Sequence, residues 1–246
     1  PSASSMLASL SRAARRAPMR IAAPLAQHSR TMALGPAVGG SVSDEMLDKL
    51  GTLSTQSLID GLWVMGWPDA FIEGARPLGK GQKCVGRAVT LRFVPQRPDI
   101  AADKPAGMES PEYEAFEKCG PRSVLVMASV GPWESVGGDI KFLRLKQLGV
   151  GGLVTDGSVR DTDEILNYGF PTWSFSTTPK QGPAAMQPWE CDGVISCGKV
   201  VVRPGDAIVG DQDGVVVVPA AAAEKVYEIA HGREVVEEII KAELVA

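Results

Sequence analysis

Three side chains suited to one kind of chemistry stand at the ends of a glycine-bounded stretch, Gly137 to Asp161, GGDIKFLRLKQLGVGGLVTDGSVRD. Asp139 follows Gly138 at its start, and Arg160-Asp161 closes it after an Asp-Gly turn. The 20 residues between Asp139 and Arg160 are enough for one helix, one strand and their turns. Such a segment can return the chain to its starting end and bring Asp139 near Arg160 and Asp161. Two carboxylates and a guanidinium at a glycine-rich rim suit a divalent cation and an anionic ligand. An oxygen donor set of this kind favours Mg²⁺ or Mn²⁺ over zinc. The plainer reading is a surface ion pair beside an ordinary Asp-Gly turn. The ensemble of glycines, acid and Arg-Asp pair points instead to an anionic-ligand or metal site.

Other chemistry is excluded by what the chain lacks. Its two histidines are His28, near the start, and His231, in a predicted C-terminal helix. A Ser-His-Asp or Cys-His unit therefore has no base in the central region. The four cysteines, Cys84, Cys119, Cys191 and Cys197, form no C-x-x-C pair. Zinc is disfavoured, and free, mostly buried thiols in a reducing compartment are expected. There is no G-x-G-x-x-G after a strand and no G-x-x-x-x-G-K-[ST], so nucleotide-binding fingerprints are absent.

The elements that must position the site follow from periodicity. Ser43 starts a helix with acids in its first turn, and Ser54 to Leu62 reads as a second. CVGRAVTLRFV (Cys84–Val94) is a strand with one buried face. Residues 95–117 form a polar, proline-containing excursion, with a short helix from Ser110-Pro111, set near the site mouth. Ser123–Ala128 is a buried strand. Ile140–Leu148 is a helix with Ile140, Leu143 and Leu148 inward and Lys141, Arg144 and Lys146 solvated. Short strands, with one short helix from Thr162 to near Gly169, then run to Val218, with a hairpin around residues 210–214. The helix from Ala220 to Leu244 has Val226, Ile229, Val236, Ile239 and Ile240 as its inner stripe. This order gives an α/β or α+β domain with a glycine-cornered sheet or barrel and a C-terminal helix.

The 246 residues fit one large or two small domains, and 44% hydrophobic with 22% charged content is that of a globular protein. No apolar run is long enough to span a membrane. Net charge is −4, although residues 1–43 hold five arginines and no acid. The remainder is therefore strongly acidic, which argues against a nucleic-acid groove. Residues 1–40 have the Ser-, Ala- and Arg-rich composition of a transit peptide, most simply mitochondrial. The expected domains are thus this leader and a catalytic domain over residues 41–246. A cytoplasmic location is the alternative.

The spacing of Asp139 and Arg160-Asp161 resembles the signature of the class II pyruvate aldolases of the 4-hydroxy-4-methyl-2-oxoglutarate aldolase family, which also contains ribonuclease E activity regulators. VGRAVTL (Val85–Leu91), GVGGLVTDGSVRD (Gly149–Asp161) and CGKVVVRPGDAIVGDQDGVVVVP (Cys197–Pro219) agree with it. The resemblance covers about residues 44–240. It implies a swivelling-type β/β/α single domain, a homotrimer or hexamer, and sites between subunits. It implies that Asp161 belongs to a Mg²⁺ site, and that Arg160 binds a 2-oxo acid and steadies its enolate. Asp139 completes the motif, and the turn Gly138, Asp139, Ile140, Lys141 offers amides to the substrate carboxylate. The implied reaction is metal-dependent cleavage of 4-hydroxy-2-oxo acids or diacids to pyruvate and a second oxo acid, with oxaloacetate decarboxylation. No lysine sits in the motif core, which disfavours a Schiff base. Asp206, Asp211 and Asp213 of a neighbouring subunit are candidate anchors for the proton-carrying water. The rival class is a non-enzymatic regulator that binds a ribonuclease or another protein. Hydratase or tautomerase chemistry from the same site is a third. Two departures concern the substrate: Ile140-Lys141-Phe142 is bulkier and more charged than expected, and the 95–117 excursion is longer than in compact members.

Overall fold

The structure is a computed structural model and describes residues 40–245. The expected leader, residues 1–40, lies almost wholly outside the described residues. Two capped helices come first. Ser43 accepts a hydrogen bond from Met46 N–H at 3.2 Å and starts α1, Asp44–Gly51. Ser54 accepts from Ser57 N–H at 3.2 Å and starts α2, Thr55–Val64. Each supplies one of the amide partners that a helix start lacks.

Four parallel strands form the centre: β2, Cys84–Pro95; β3, Ser123–Ala128; β4, Gly152–Thr155; and β6, Thr172–Ser174. Short β1, Arg76–Pro77, pairs antiparallel with β6. The 12 residues of β2 carry two partners in succession on their other edge. Its first half pairs with β11, Ala207–Gly210, and its second with β8, Met186–Cys191. β11 continues as a hairpin into β12, Val215–Val218.

The sheet nearly closes on itself. The segment before β1 lies along β12: Ile72 N–H donates to Val215 O at 3.0 Å and Val217 N–H to Ala70 O at 2.9 Å. The same segment then runs on as β1 at the opposite edge. Trp173 on β6 donates its indole N–H to Asp211 O at 2.8 Å, across the remaining gap. The result is a barrel-like α/β domain with a C-terminal helix.

Strand alternation sorts the side chains into three cores. Val124, Val126, Val154, Trp173, Ile208, Val215 and Val217 fill the inside, roofed by the hairpin of β9 (Ile195–Cys197) and β10 (Val200–Val202). Leu125, Met127 and Leu153 face out, under α3 (Pro111–Lys118), α4 (Asp139–Gln147) and α5 (Thr162–Tyr168). Val209, Val216 and Val218 face α1, α2 and α6, Ala223–Val245. Three cysteines are buried and Cys191 is half-buried; all four are free thiols. Among the described residues no helix is long and apolar enough to cross a membrane.

Two helix faces differ from expectation. In α4 the buried residues are Phe142 and Leu145, while Ile140 is 77% exposed. The register is set by Phe142, whose ring packs against Gly137. In α6, Val226 is buried, but Val236, Ile239 and Ile240 are exposed, because the helix packs on the domain through its first turns only.

Leu125 sits at the middle of the central strand and is fully buried. Leu125→Ala is expected to destabilise the domain by about 2–5 kcal/mol in urea unfolding. A loss under ~0.5 kcal/mol, typical of a surface change, would contradict this account of the core.

Candidate functional site

The loop after β3 runs beside β5, Ser158–Val159, like one more parallel strand pair, and β7, Ser176–Thr177, pairs parallel with β5 as well. Ser158 N–H donates to Glu134 O, Val136 N–H to Ser158 O and Arg160 N–H to Gly137 O, at 2.9, 2.9 and 3.0 Å. These bonds place the start of α4 against the start of α5. Asp139, first residue of α4, donates its amide to Asp161 Oδ2 at 3.3 Å. The expected convergence of Asp139 with Arg160 and Asp161 is therefore present in the backbone geometry.

Asp161 is held in an uncommon conformation. Its φ of 56° and ψ of 42° are left-handed, which Asp tolerates better than most residues. It occupies the N-cap position of α5, yet its carboxylate caps nothing there. The side chain instead reaches across to α4. Arg160 Nε lies 3.3 Å from Oδ2 and 3.4 Å from Oδ1. Both side chains are more than a third exposed, so the pair contributes little to folding. Gly138 makes this arrangement possible. A Cβ there would stand 2.3 Å from Asp161 Oδ2 and 2.7 Å from Arg160 Cγ. Beyond the Asp139 amide, the N–H groups of Ile140 and Lys141 find no acceptor among the described residues. They leave partial positive charge at the helix start, ready for an anion.

A cleft of about 270 Å³ opens beside this rim. Gly137, Gly138, Ile140, Lys141, Arg160 and Asp161 line it; Asp139 does not, and lies half-buried behind them. Tyr168 donates its hydroxyl to Asp139 O at 3.1 Å. Burial pushes its phenol up to about 12, and the charges of Asp139 and Asp161 add to the shift. Among the described residues no three His, Cys, Asp or Glu side chains cluster as a ready-made cage. Mg²⁺ needs no such cage, since one or two carboxylates plus water and ligand oxygens suffice. Asp161, exposed beside the cleft and fitted over a glycine, matches that demand.

The far wall was not legible from sequence. It comprises Phe93 of β2, Glu112 of α3, the Gln181–Pro183 segment, and Met186 and Pro188 of β8. Gly182 lets that segment approach, for a Cβ there would lie 2.1 Å from Ser135 O. Lys141, expected to be solvated, reaches into this wall. Its Nζ lies 2.7 and 2.6 Å from the two carboxylate oxygens of Glu112, whose side chain is 8% exposed. Arg144 and Lys146 are exposed, as expected. A lysine between apolar neighbours was the one signal that a buried acid lay opposite.

The other acids serve their own chain. Asp206 is buried and accepts from Arg203 N–H and Ala220 N–H; burial raises its carboxyl above the usual range. Asp211 accepts from the amide and hydroxyl of Thr55 at the start of α2, and Asp213 pairs with Gln56.

A family model described as RraA-like, Aldolase/RraA, matches residues 55–217. A putative 4-hydroxy-4-methyl-2-oxoglutarate aldolase of Halalkalibacterium halodurans is 32% identical over 163 residues, 65% of this chain and 70% of that protein. An uncharacterised protein of Methanocaldococcus jannaschii is 36% identical over 99 residues, and this chain spans about half of it, 47%. Streptomyces coelicolor RraAS2, described as an unusual member of the RNase ES inhibitor RraA family, superposes with a TM-score of 0.74 at 30% identity. That match covers 82% of this chain and 98% of the other.

The Glu112–Lys141 pair yields a stability prediction. Lys141→Met strands a buried carboxylate, which costs about 3–5 kcal/mol in a fully buried pair. Because Lys141 is 30% exposed, about 1–3 kcal/mol is expected here. Adding Glu112→Gln should restore more than half of the loss in denaturant unfolding; an additive double variant would show that the two do not interact.

Proposed function

This chain belongs to the RraA-like, Aldolase/RraA family, and on that premise we propose that it is a divalent-metal-dependent carbon–carbon lyase. Its substrate is a 4-hydroxy-2-oxo acid, and its products are pyruvate and an aldehyde, ketone or second oxo acid. Oxaloacetate decarboxylation is a companion activity. The observation that carries this reading is the placement of Arg160 and Asp161 over Gly138, at a cleft that Ile140 and Lys141 of the helix start also line.

The chain's own groups divide the work as follows. The N–H groups of Ile140 and Lys141 bind the substrate carboxylate at the helix start. Arg160 points its guanidinium at the 2-oxygen. When the C3–C4 bond breaks, its electron pair moves to C3 and spreads onto that oxygen, while the 4-hydroxyl loses its proton. Arg160 steadies the developing enolate charge, which a single placed donor does by about 3–4 kcal/mol. C3 then takes a proton to give pyruvate. Asp161 would hold Mg²⁺ or Mn²⁺, with Asp139 behind it. The bound ion would supply Lewis-acid stabilisation of charge on the substrate oxygens. A Schiff-base route lacks its amine, because the Lys141 ammonium is committed to Glu112.

A homotrimer or hexamer with sites between subunits fits the exposed Ile140 at the cleft mouth. Residues 41–246 are the proposed catalytic domain, and residues 1–40 a leader addressed to the mitochondrial matrix. A second reading, a regulator that binds a ribonuclease, is favoured by the likeness to RraAS2.

Arg160→Ala should lower kcat/KM for pyruvate release by about 10²–10³, and Asp161→Ala by at least as much, with the oligomer intact on size exclusion. Gly138→Ala should do likewise while unfolding near the wild-type temperature, because its Cβ displaces the Asp161 carboxylate. EDTA should remove activity and Mg²⁺ or Mn²⁺ restore it. Wild-type turnover in both Ala variants would overturn the assignment of this site to the reaction. Ribonuclease capture without turnover of any 2-oxo acid would establish the regulator.

A further inference from the structure

The wall opposite Arg160 carries information about the substrate that the rim does not. Of the residues lining it, Phe93 and Met186 are buried and apolar, Pro183 and Pro188 extend the same surface, and Gln181 is its uncharged polar member. Its two ionised groups are Glu112 and Lys141, and they face each other. Both carboxylate oxygens of Glu112 lie within 2.7 Å of the single ammonium. The cation that this wall offers to a second substrate carboxylate is therefore already neutralised.

Lys141 is not free to leave. Glu112 is among the more buried acids of the domain, on a helix held down by Ala115 and Phe116 in the outer core. A substrate carboxylate that drew Lys141 away would leave Glu112 without its cation and would itself face a like charge. Both effects oppose binding. An uncharged chain placed there meets hydrocarbon and asks nothing of the pair.

Resting on the aldolase reading, we infer that the site takes a 2-oxo acid with one carboxylate, and that the part beyond the C3–C4 bond is uncharged and, apart from its 4-hydroxyl, apolar. Glu112 enforces this choice by occupying Lys141. The carboxylate that oxaloacetate loses is attached directly to C3. It stays near the rim, so the rule applies to longer diacids. Glu112 acts through Lys141 and is a specificity-determining residue; it touches no reacting atom.

The test compares pyruvate release, with Mg²⁺, from 4-hydroxy-4-methyl-2-oxoglutarate and from 4-hydroxy-4-methyl-2-oxohexanoate. In the latter an ethyl group replaces the distal carboxylate. Wild type should favour the hexanoate by about tenfold or more in kcat/KM, within the range of pocket discrimination. Glu112→Gln frees Lys141 and should move that ratio at least about tenfold toward the glutarate. The double variant Glu112→Gln/Lys141→Met should return it toward the hexanoate. Comparing ratios between variants cancels the intrinsic reactivity of the two compounds. A wild-type preference for the glutarate overturns the inference and leaves the aldolase reading standing, even should Glu112→Gln not fold. An unmoved ratio in folded Glu112→Gln, or a gain that survives in the double variant, also overturns it. Release from neither compound, nor from oxaloacetate, overturns the aldolase reading and this inference together.

Discussion

Three backbone hydrogen bonds between residues 134–137 and 158–160 hold the candidate site together. They involve no side chain of the Asp-Arg-Asp set. They act by making two loops, which follow different strands, run as a parallel pair. Once the loops are joined, the starts of α4 and α5 must adjoin, and Asp139 must meet Asp161. The parallel register of β3 with β4 makes that pairing possible, since it brings both loops out at the same end of the sheet. This is the end at which open parallel sheets commonly place ligands.

The local backbone at the site serves geometry ahead of stability. Asp161 is left-handed and leaves the start of α5 uncapped. Its ion pair with Arg160 is long and exposed. A residue so placed costs of order 1–3 kcal/mol, and the surrounding fold must absorb it. Here the three cores inside and around the nearly closed sheet do so. Gly138 is the complementary device. Its backbone is extended and any residue could adopt it, but only hydrogen fits between it and Asp161. That glycine is therefore required by space, whereas Gly182 performs the same service for the opposite wall.

The two stretches that sequence singles out as departures, residues 95–117 and Ile140-Lys141-Phe142, meet in one ion pair. The excursion between β2 and β3 contains α3, and α3 carries Glu112. Lys141, two residues after Asp139, is its partner. Each alone would be a misfit, a buried acid or a charged residue in an apolar helix turn. Together they form a neutral wall bonded at short distance.

Much was legible from sequence. Periodicity gave the capped helices α1 and α2, the long strand β2, the buried strand β3 and the hairpin β11–β12, because these depend on neighbours in the chain. The glycine-bounded stretch disclosed the rim, since Asp139 and Arg160-Asp161 are joined by a single helix–strand unit. Tertiary structure decided the rest. Helix α4 turns Phe142 inward and not Ile140, because the ring has a glycine to pack on. The end of α6 exposes Val236, Ile239 and Ile240, because the domain supplies no surface there. The cleft's far wall joins residues from β2, α3 and β8 across 96 positions, Phe93 to Pro188. No local pattern can specify a contact over such a span. It arises where β2, having lost β11 as its neighbour, takes β8 in its place.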